Sequence, residues 1–251
     1  MTKNEPLFTQ APYLCSFESV FHQHCFLFVT KFLTVKKLSY GMLFHMNELV
    51  GISQGIFPFL IIIYSIILHE IAHGYAAYIQ GDQTANRAGR LTLNPFPHID
   101  MMGSVIVPLA AFLTAGTFFG WAKPVPYNPY NIQTKWGQAF VASAGILTNL
   151  LLALMAGIAF KVLLSQGVLT PEIGKAIFTI ISVNVSLAFF NLIPIPPFDG
   201  MAIIEALFPR VAIRSSVIYN PIYMVVAIIA ASVLYGIFMP PVMSLVQQIL
   251  L

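Results

Sequence analysis

The chain has 251 residues, 58% of them hydrophobic and 8% charged, with a mean hydropathy of +0.82 and a formal net charge of +3. A soluble globular domain carries about 25% charged residues, so the composition excludes that class and indicates a multi-pass membrane protein. The weak, scattered positive charge offers no surface for nucleic acid, and neither nucleic acid nor nucleotide is expected as a partner.

Residues 1–45 contain Lys31, Lys36, Lys37 and scattered aromatics, with no lasting period of 3.6 or 2. The apolar stretch FLFV is too short for a cleavable signal, so the first long apolar segment is expected to direct insertion. Met46 stands directly before NELVGISQ and would be a natural start, which would leave residues 1–45 outside the native chain. Cys15 and Cys25 both fall in this tail, so no disulfide framework is implied for residues 46–251. With His22 and His24 they could form a zinc site, or they are incidental residues of a tail.

Five hydrophobic segments follow, at 49–79, 101–119, 137–160, 176–198 and 222–238. Several exceed the roughly 18 residues that suggest a bilayer span. Between the second and third lies GWAKPVPYNPYNIQTKW, residues 120–136, whose alternation and prolines predict a small extended β edge or loop. The connection 161–175 contains Gly167 and Pro171, and the fourth segment is interrupted by Asn191, Pro194, Pro196 and Pro197. A short amphipathic piece spans 200–214, and the tail after Pro240-Pro241 is apolar. The expected fold is an all-α polytopic bundle with an extended edge near the site, and residues 46–251 form one membrane domain.

Within the first segment the stretch IILHEIAHGY holds two histidines and a glutamate. From residue 49 to 79 Glu70 is the one formally charged side chain. A charge near mid-bilayer costs about 2.5–3.5 kcal/mol on insertion scales, and such groups mark function by default. His69, Glu70 and His73 spell H-E-x-x-H. Residues i and i+4 share a helix face, so both imidazoles can reach one ion, with the carboxylate beside them as general base. The competing reading is a chance match whose histidines bond backbone or water.

Catalytic zinc takes three protein ligands and one open position. Acids are scarce, nine in all. Asp82 and Asp100 fall in polar loops and Glu172 in a short connection, whereas Asp199 follows a proline-broken apolar segment. Prolines free carbonyls at membrane depth, which is tolerated where the chain lines a cavity. Asp199 is therefore the favoured third ligand. Taken alone, it is equally readable as the N-cap of a helix over 200–208.

HEIAHG, GWAKPVPYNPYNI, SAGILTNL and NLIPIPPFDG occur in an order and spacing that resemble the site-2 protease family of intramembrane zinc metalloproteases, over about residues 46–210. The match is closest to its compact prokaryotic branch without PDZ or CBS domains. The resemblance implies one Zn2+ bound by His69, His73 and Asp199, with Glu70 activating water and transmembrane proteins or peptides as substrates. It also implies that Asn191 helps to hold substrate or the developing oxyanion, which an amide donor would suit. One departure is visible: the family's A-G-P-x-x-N reads A-G-I-L-T-N, with Ile146 for proline and with Gly145 and Asn149 retained. Asn149 serves either substrate or a helix–helix hydrogen bond, and the latter is favoured.

His69 and Asp199 must meet at one depth. If segments one to four all cross, they end near opposite faces; if residues 101–119 dip in and return, the site closes. The returning path would bring 120–130 to the site as an edge that pairs with an extended peptide. It would also gather Arg87, Arg90, Lys123, Lys135, Arg210 and Arg214 on one side, against Lys161 and Lys175 on the other. The positive-inside rule then points to a cell-membrane protein with its active site towards the cytoplasm. Lys3, Lys31, Lys36 and Lys37 of the tail would level that score. Two other readings compete. A prenyl-protein protease would need Glu172 or Glu205 as ligand. A metal transporter or scaffold would need polar residues along a crossing path.

Overall fold

The computed structural model describes residues 47–107, 109, 113, 121–211 and 220–250. The tail's Cys15, His22, His24 and Cys25, and the question of a start at Met46, lie outside the described residues. The helices are α1 (Asn47–Tyr78), α2 (Thr84–Arg87), α3 (Lys135–Ser165), α4 (Pro171–Leu192), α5 (Asp199–Leu207) and α6 (Pro221–Leu250). Four stretches are long and apolar enough to cross a bilayer: Phe57–Tyr78, Lys135–Ser165, Pro171–Leu192 and Ile222–Leu250. Large apolar side chains such as Phe59, Leu60, Leu151 and Leu154 point outward, as lipid contact requires. The protein is an all-α polytopic membrane protein.

Local chemistry sets the ends of these helices. Thr134 Oγ1 accepts the Gly137 N–H at 2.9 Å to open α3, and Thr170 Oγ1 accepts the Ile173 N–H at 3.3 Å to open α4. Pro171 at the first position of α4 gives up an N–H that has no helical partner there. Gly167, with φ +69°, makes the turn between α3 and α4 that a side chain would resist. The helices pack by small residues: Ala72, Ala76 and Ala77 of α1 meet Val141 and Ala144 of α3. Such residues let membrane helices approach closely. At the other end Phe160, Phe178, Ile181 and Leu250 join α3, α4 and α6.

Two expectations change, and one open alternative is decided. The extended edge is not a β-strand: among the described residues there is no strand, and 121–128 carry no regular structure. Pro124, Pro126 and Pro129 remove the donors that a ladder would need. The fifth segment does not stop near residue 238, because α6 runs through Pro240 and Pro241 to Leu250. Apolar continuity outweighs the lost hydrogen bonds in a lipid-facing helix. The segment 101–119, whose described part is a π-helical turn at Met101–Ile106, has its two flanks together. Trp121 N–H donates to Gly103 O at 3.0 Å, and Ser104 Oγ donates to Trp121 O at 2.9 Å. The chain therefore comes back to where it left, which is the returning alternative.

Just past α1, Asp82 ties the loop to the helix end. It is fully buried. Its Oδ1 accepts from Thr84 N–H (3.2 Å), Thr84 Oγ1 (2.6 Å) and Asn131 Nδ2 (2.7 Å), and its Oδ2 from Asn128 N–H (2.7 Å). Burial pushes the carboxyl upward, but these four bonds outweigh it and hold its pKa below the ordinary 3.8. A lowered folded-state pKa stabilises above the unfolded value and is lost as pH falls through the folded one. Asp82→Ala is expected to cost about 3 kcal/mol by stranding buried donors. That is a drop of roughly 6–12 °C in Tm. Melting curves in detergent at pH 7 and below pH 4 check this. The wild type should lose stability on acidification, and the variant should lose less.

Candidate metal centre

α1 carries His69, Glu70 and His73. At 1.5 Å per residue, His69 lies about 18 Å from the Phe57 end of the span and about 14 Å from the Tyr78 end. The histidines are buried, with ring centroids 4.7 Å apart and planes at 79°. Asp199 opens α5. Helix α4 ends at Leu192 because Pro194, Pro196 and Pro197 follow, and a turn closed by Phe198 N–H to Ile195 O at 3.0 Å folds the chain back. Gly200 permits the reversal: a Cβ there would lie 2.2 Å from Leu192 O.

Three ligand atoms then form a nearly equilateral triangle. His69 Nε2 to Asp199 Oδ2, His73 Nε2 to Asp199 Oδ2, and His73 Nε2 to His69 Nε2 each measure 3.1 Å. A tetrahedral zinc with bonds of about 2.0–2.2 Å has ligand–ligand edges of about 3.3–3.6 Å. The tautomer agrees. His73 Nδ1 lies 2.7 Å from Val141 O, which can only accept, so Nδ1 carries a proton and in the neutral ring Nε2 keeps the lone pair that a metal needs. That nitrogen faces a second imidazole nitrogen and a carboxylate oxygen, a cluster that a metal ion, or a proton shared with Asp199, holds together. The second-nitrogen bond to a backbone carbonyl is also what orients a metal-ligating histidine. The residues fit a zinc ion. Among the described residues, no other His, Cys, Asp or Glu group forms such a cluster.

The backbone of α3 closes the site. A Cβ on Gly145 would lie 2.5 Å from His69 Cε1 and Nε2 and from His73 Nε2, so only glycine lets α3 cross the histidine pair. Glu70 sits beside the triangle in sequence, and its Oε2 accepts the Val125 N–H at 2.8 Å.

The other predicted positions fall out differently. Asp199 is not an N-cap: it is the first helical residue and makes no capping bond. Asn191 stands in the last turn of α4 and donates from Nδ2 to Leu187 O of its own helix at 3.0 Å. Asn149 is fully buried in α3, and neither amide atom has a partner among the described residues. Helix–helix hydrogen bonds form elsewhere: Asn184 Nδ2 donates to Ser65 Oγ at 3.0 Å between α4 and α1, and Ser186 Oγ pairs with Tyr235 Oη at 3.0 Å between α4 and α6. Glu172 is in the exposed first turn of α4, away from the histidines, and Glu205 is outside the ligand cluster. Sequence reasoning missed the Val141 carbonyl and the Val125 N–H, since backbone partners leave no residue-type signal. The one available hint was the valine held between prolines at 124–126.

The helices and the cluster together define a polytopic membrane protein built around a His–His–Asp group that could hold a metal ion. The profile of peptidase family M50 matches residues 168–234, which include Asp199. A Bacillus subtilis protein bearing the name of a zinc metalloprotease, YwhC, is 37% identical over 172 residues, 65% of this chain and 75% of that protein. A Mycolicibacterium smegmatis protein named as the zinc metalloprotease Rip2 is 30% identical over 149 residues, 56% of this chain and 53% of that protein. A Mycobacterium tuberculosis protein of the same name is 28% identical over 141 residues. The chain thus spans about half the length of the Rip2 relatives. No solved structure matches it. The chain belongs to peptidase family M50, the site-2 protease family.

Proposed function

We propose that this protein is an intramembrane zinc metalloendopeptidase that hydrolyses peptide bonds within or near the transmembrane segments of membrane-protein substrates. The observation that carries this reading is the 3.1 Å triangle of His69, His73 and Asp199 beside Glu70, in the middle of an apolar helix. One Zn2+ per chain, held by those three residues, would supply Lewis-acid polarisation of the scissile carbonyl and lower the pKa of a water. Glu70 takes the proton from the attacking water and returns it to the leaving amine nitrogen. Val141 O holds the His73 ring so that Nε2 faces the ligand atoms. A substrate helix must unwind to be cut, because a helical backbone hides its carbonyls. The broken chain at 193–198 provides a non-helical stretch beside the site, as intramembrane irregular backbone does when it lines a cavity.

The placement of basic residues supports the reading of a cell-membrane protein with its site towards the cytoplasm. Arg87, Arg90, Lys123 and Lys135 all lie between α1 and the start of α3, on the side to which the 101–119 segment returns. The test uses the purified full chain in liposomes with a peptide that carries one transmembrane helix. Cleavage inside the apolar segment is expected, lost on chelation with 1,10-phenanthroline and restored by zinc. Cleavage that survives removal of the metal would sink the proposal.

A further inference from the structure

The sequence sets a valine between prolines in Lys123-Pro124-Val125-Pro126. Proline has no N–H, so Val125 is the single backbone donor in residues 124–126. That donor lies 2.8 Å from Glu70 Oε2. Three nearby donors are committed elsewhere. Lys123 N–H goes to His98 O at 2.9 Å, Trp121 N–H to Gly103 O at 3.0 Å and Asn128 N–H to the buried Asp82 at 2.7 Å. Arg90 Nη2 holds the Lys123 carbonyl at 2.6 Å. Val125 itself is buried. Its side chain lies over Gly74, one turn beyond Glu70, where an added Cβ would come 2.7 Å from Val125 Cγ1. The segment is thus pinned on both sides of Val125 and pressed against α1 at the level where the Val125 N–H meets Glu70.

We propose that the Pro-Val-Pro triplet is a single-donor clamp for the base: Val125 N–H holds Oε2 of Glu70 and leaves Oε1 as the oxygen that handles the proton. The inference rests on the reading of Glu70 as general base. The two prolines matter because donors at 124 or 126 would compete for the carboxylate. A second N–H on Oε1 would occupy the oxygen that the reaction needs. Glu70 accepts no other hydrogen bond among the described residues. Val125 is therefore a positioning residue. It acts through Glu70, with no side-chain chemistry of its own.

Two measurements on the zinc-loaded full chain test the clamp. Carbonyl-13C proline with 15N valine singles out the two Pro–Val pairs, 124–125 and 241–242, by NMR. The Val125 amide should exchange about tenfold more slowly in wild type than in Glu70→Ala, the factor that one charge-assisted hydrogen bond supplies. Kinetics of Val125→Pro, which removes the N–H, should show kcat lowered about 10–100-fold with KM and zinc content unchanged. Val125→Ala retains the donor and should recover most of that loss. Equal exchange in wild type and Glu70→Ala overturns the clamp, and so does an equal loss of kcat in both Val125 variants, which would mark simple packing. Where Val125→Pro does not fold, the exchange comparison still decides. An unprotected amide in a chain that cleaves peptide sinks the clamp alone. A protected amide in a chain that cleaves nothing sinks the protease reading.

Discussion

Glu70→Gln is expected to retain the wild-type zinc content while peptide cleavage falls about 1,000-fold, the middle of the range that a positioned acid–base group supplies. The substitution changes one oxygen to an amide nitrogen. Its remaining carbonyl oxygen can still accept the Val125 N–H, so the loop at 121–128 keeps its anchor on α1. The ligand atoms belong to His69, His73 and Asp199, none of which is altered. What disappears is the capacity to take a proton from water and give it to the leaving nitrogen. Elemental analysis of the purified variant, with single-turnover cleavage of a transmembrane peptide, checks both halves. A variant that cleaves at the wild-type rate would remove Glu70 from the base role. Because such a protein binds substrate without consuming it, the same variant in native membranes should retain its substrate for identification.

The second large effect concerns the metal. Asp199→Ala should weaken zinc binding about 100-fold and abolish cleavage at ordinary zinc concentrations, whereas Glu205→Ala should leave zinc binding unchanged. A four-ligand zinc site yields roughly 10–16 kcal/mol, so one ligand's share is about 3 kcal/mol, or about two decades of affinity. Asp199 Oδ2 lies 3.1 Å from both histidine nitrogens, while Glu205 is six residues further along α5 and outside the cluster. Competition against a chromogenic chelator measures both constants. Loss of zinc on changing Glu205, with Asp199→Ala intact, would transfer the third-ligand role and revive the prenyl-protease alternative.

Most of the membrane architecture is legible in the residues. Segments predicted at 49–79 and 137–160 coincide with α1 and α3 to within a few residues, because a bilayer demands long apolar runs whose hydrogen bonds close within the segment. Errors arose where apolar character and proline conflict. Pro194, Pro196 and Pro197 end α4, and Gly200 then folds the chain back on Leu192. Pro240 and Pro241 do not end α6, although composition around them is similarly apolar. The stretch at 121–128 has the alternation of a strand, yet its prolines leave too few donors for a ladder, and the N–H groups of Trp121, Lys123, Val125 and Asn128 go to Gly103, His98, Glu70 and Asp82.

The site divides along the same line. His69, Glu70 and His73 are adjacent on one helix, so a spacing of four residues alone determines that both rings share a face. Asp199 lies 126 residues beyond His73, and no periodicity connects them. Its approach depends on three tertiary facts: the 101–119 segment returns to Gly103, α4 breaks at its prolines, and Gly145 lets α3 pass over the histidines. Asn191, given a substrate role by the resemblance, bonds Leu187 O of its own helix, and Asn149, favoured for a helix–helix hydrogen bond, has no partner among the described residues. Sequence by itself determined a polytopic helical membrane protein with a two-histidine metal motif, since apolar length and helical spacing act over neighbouring residues. Only the tertiary structure decided which carboxylate completes the triangle and which backbone N–H holds the base, because those contacts depend on the path of the whole chain.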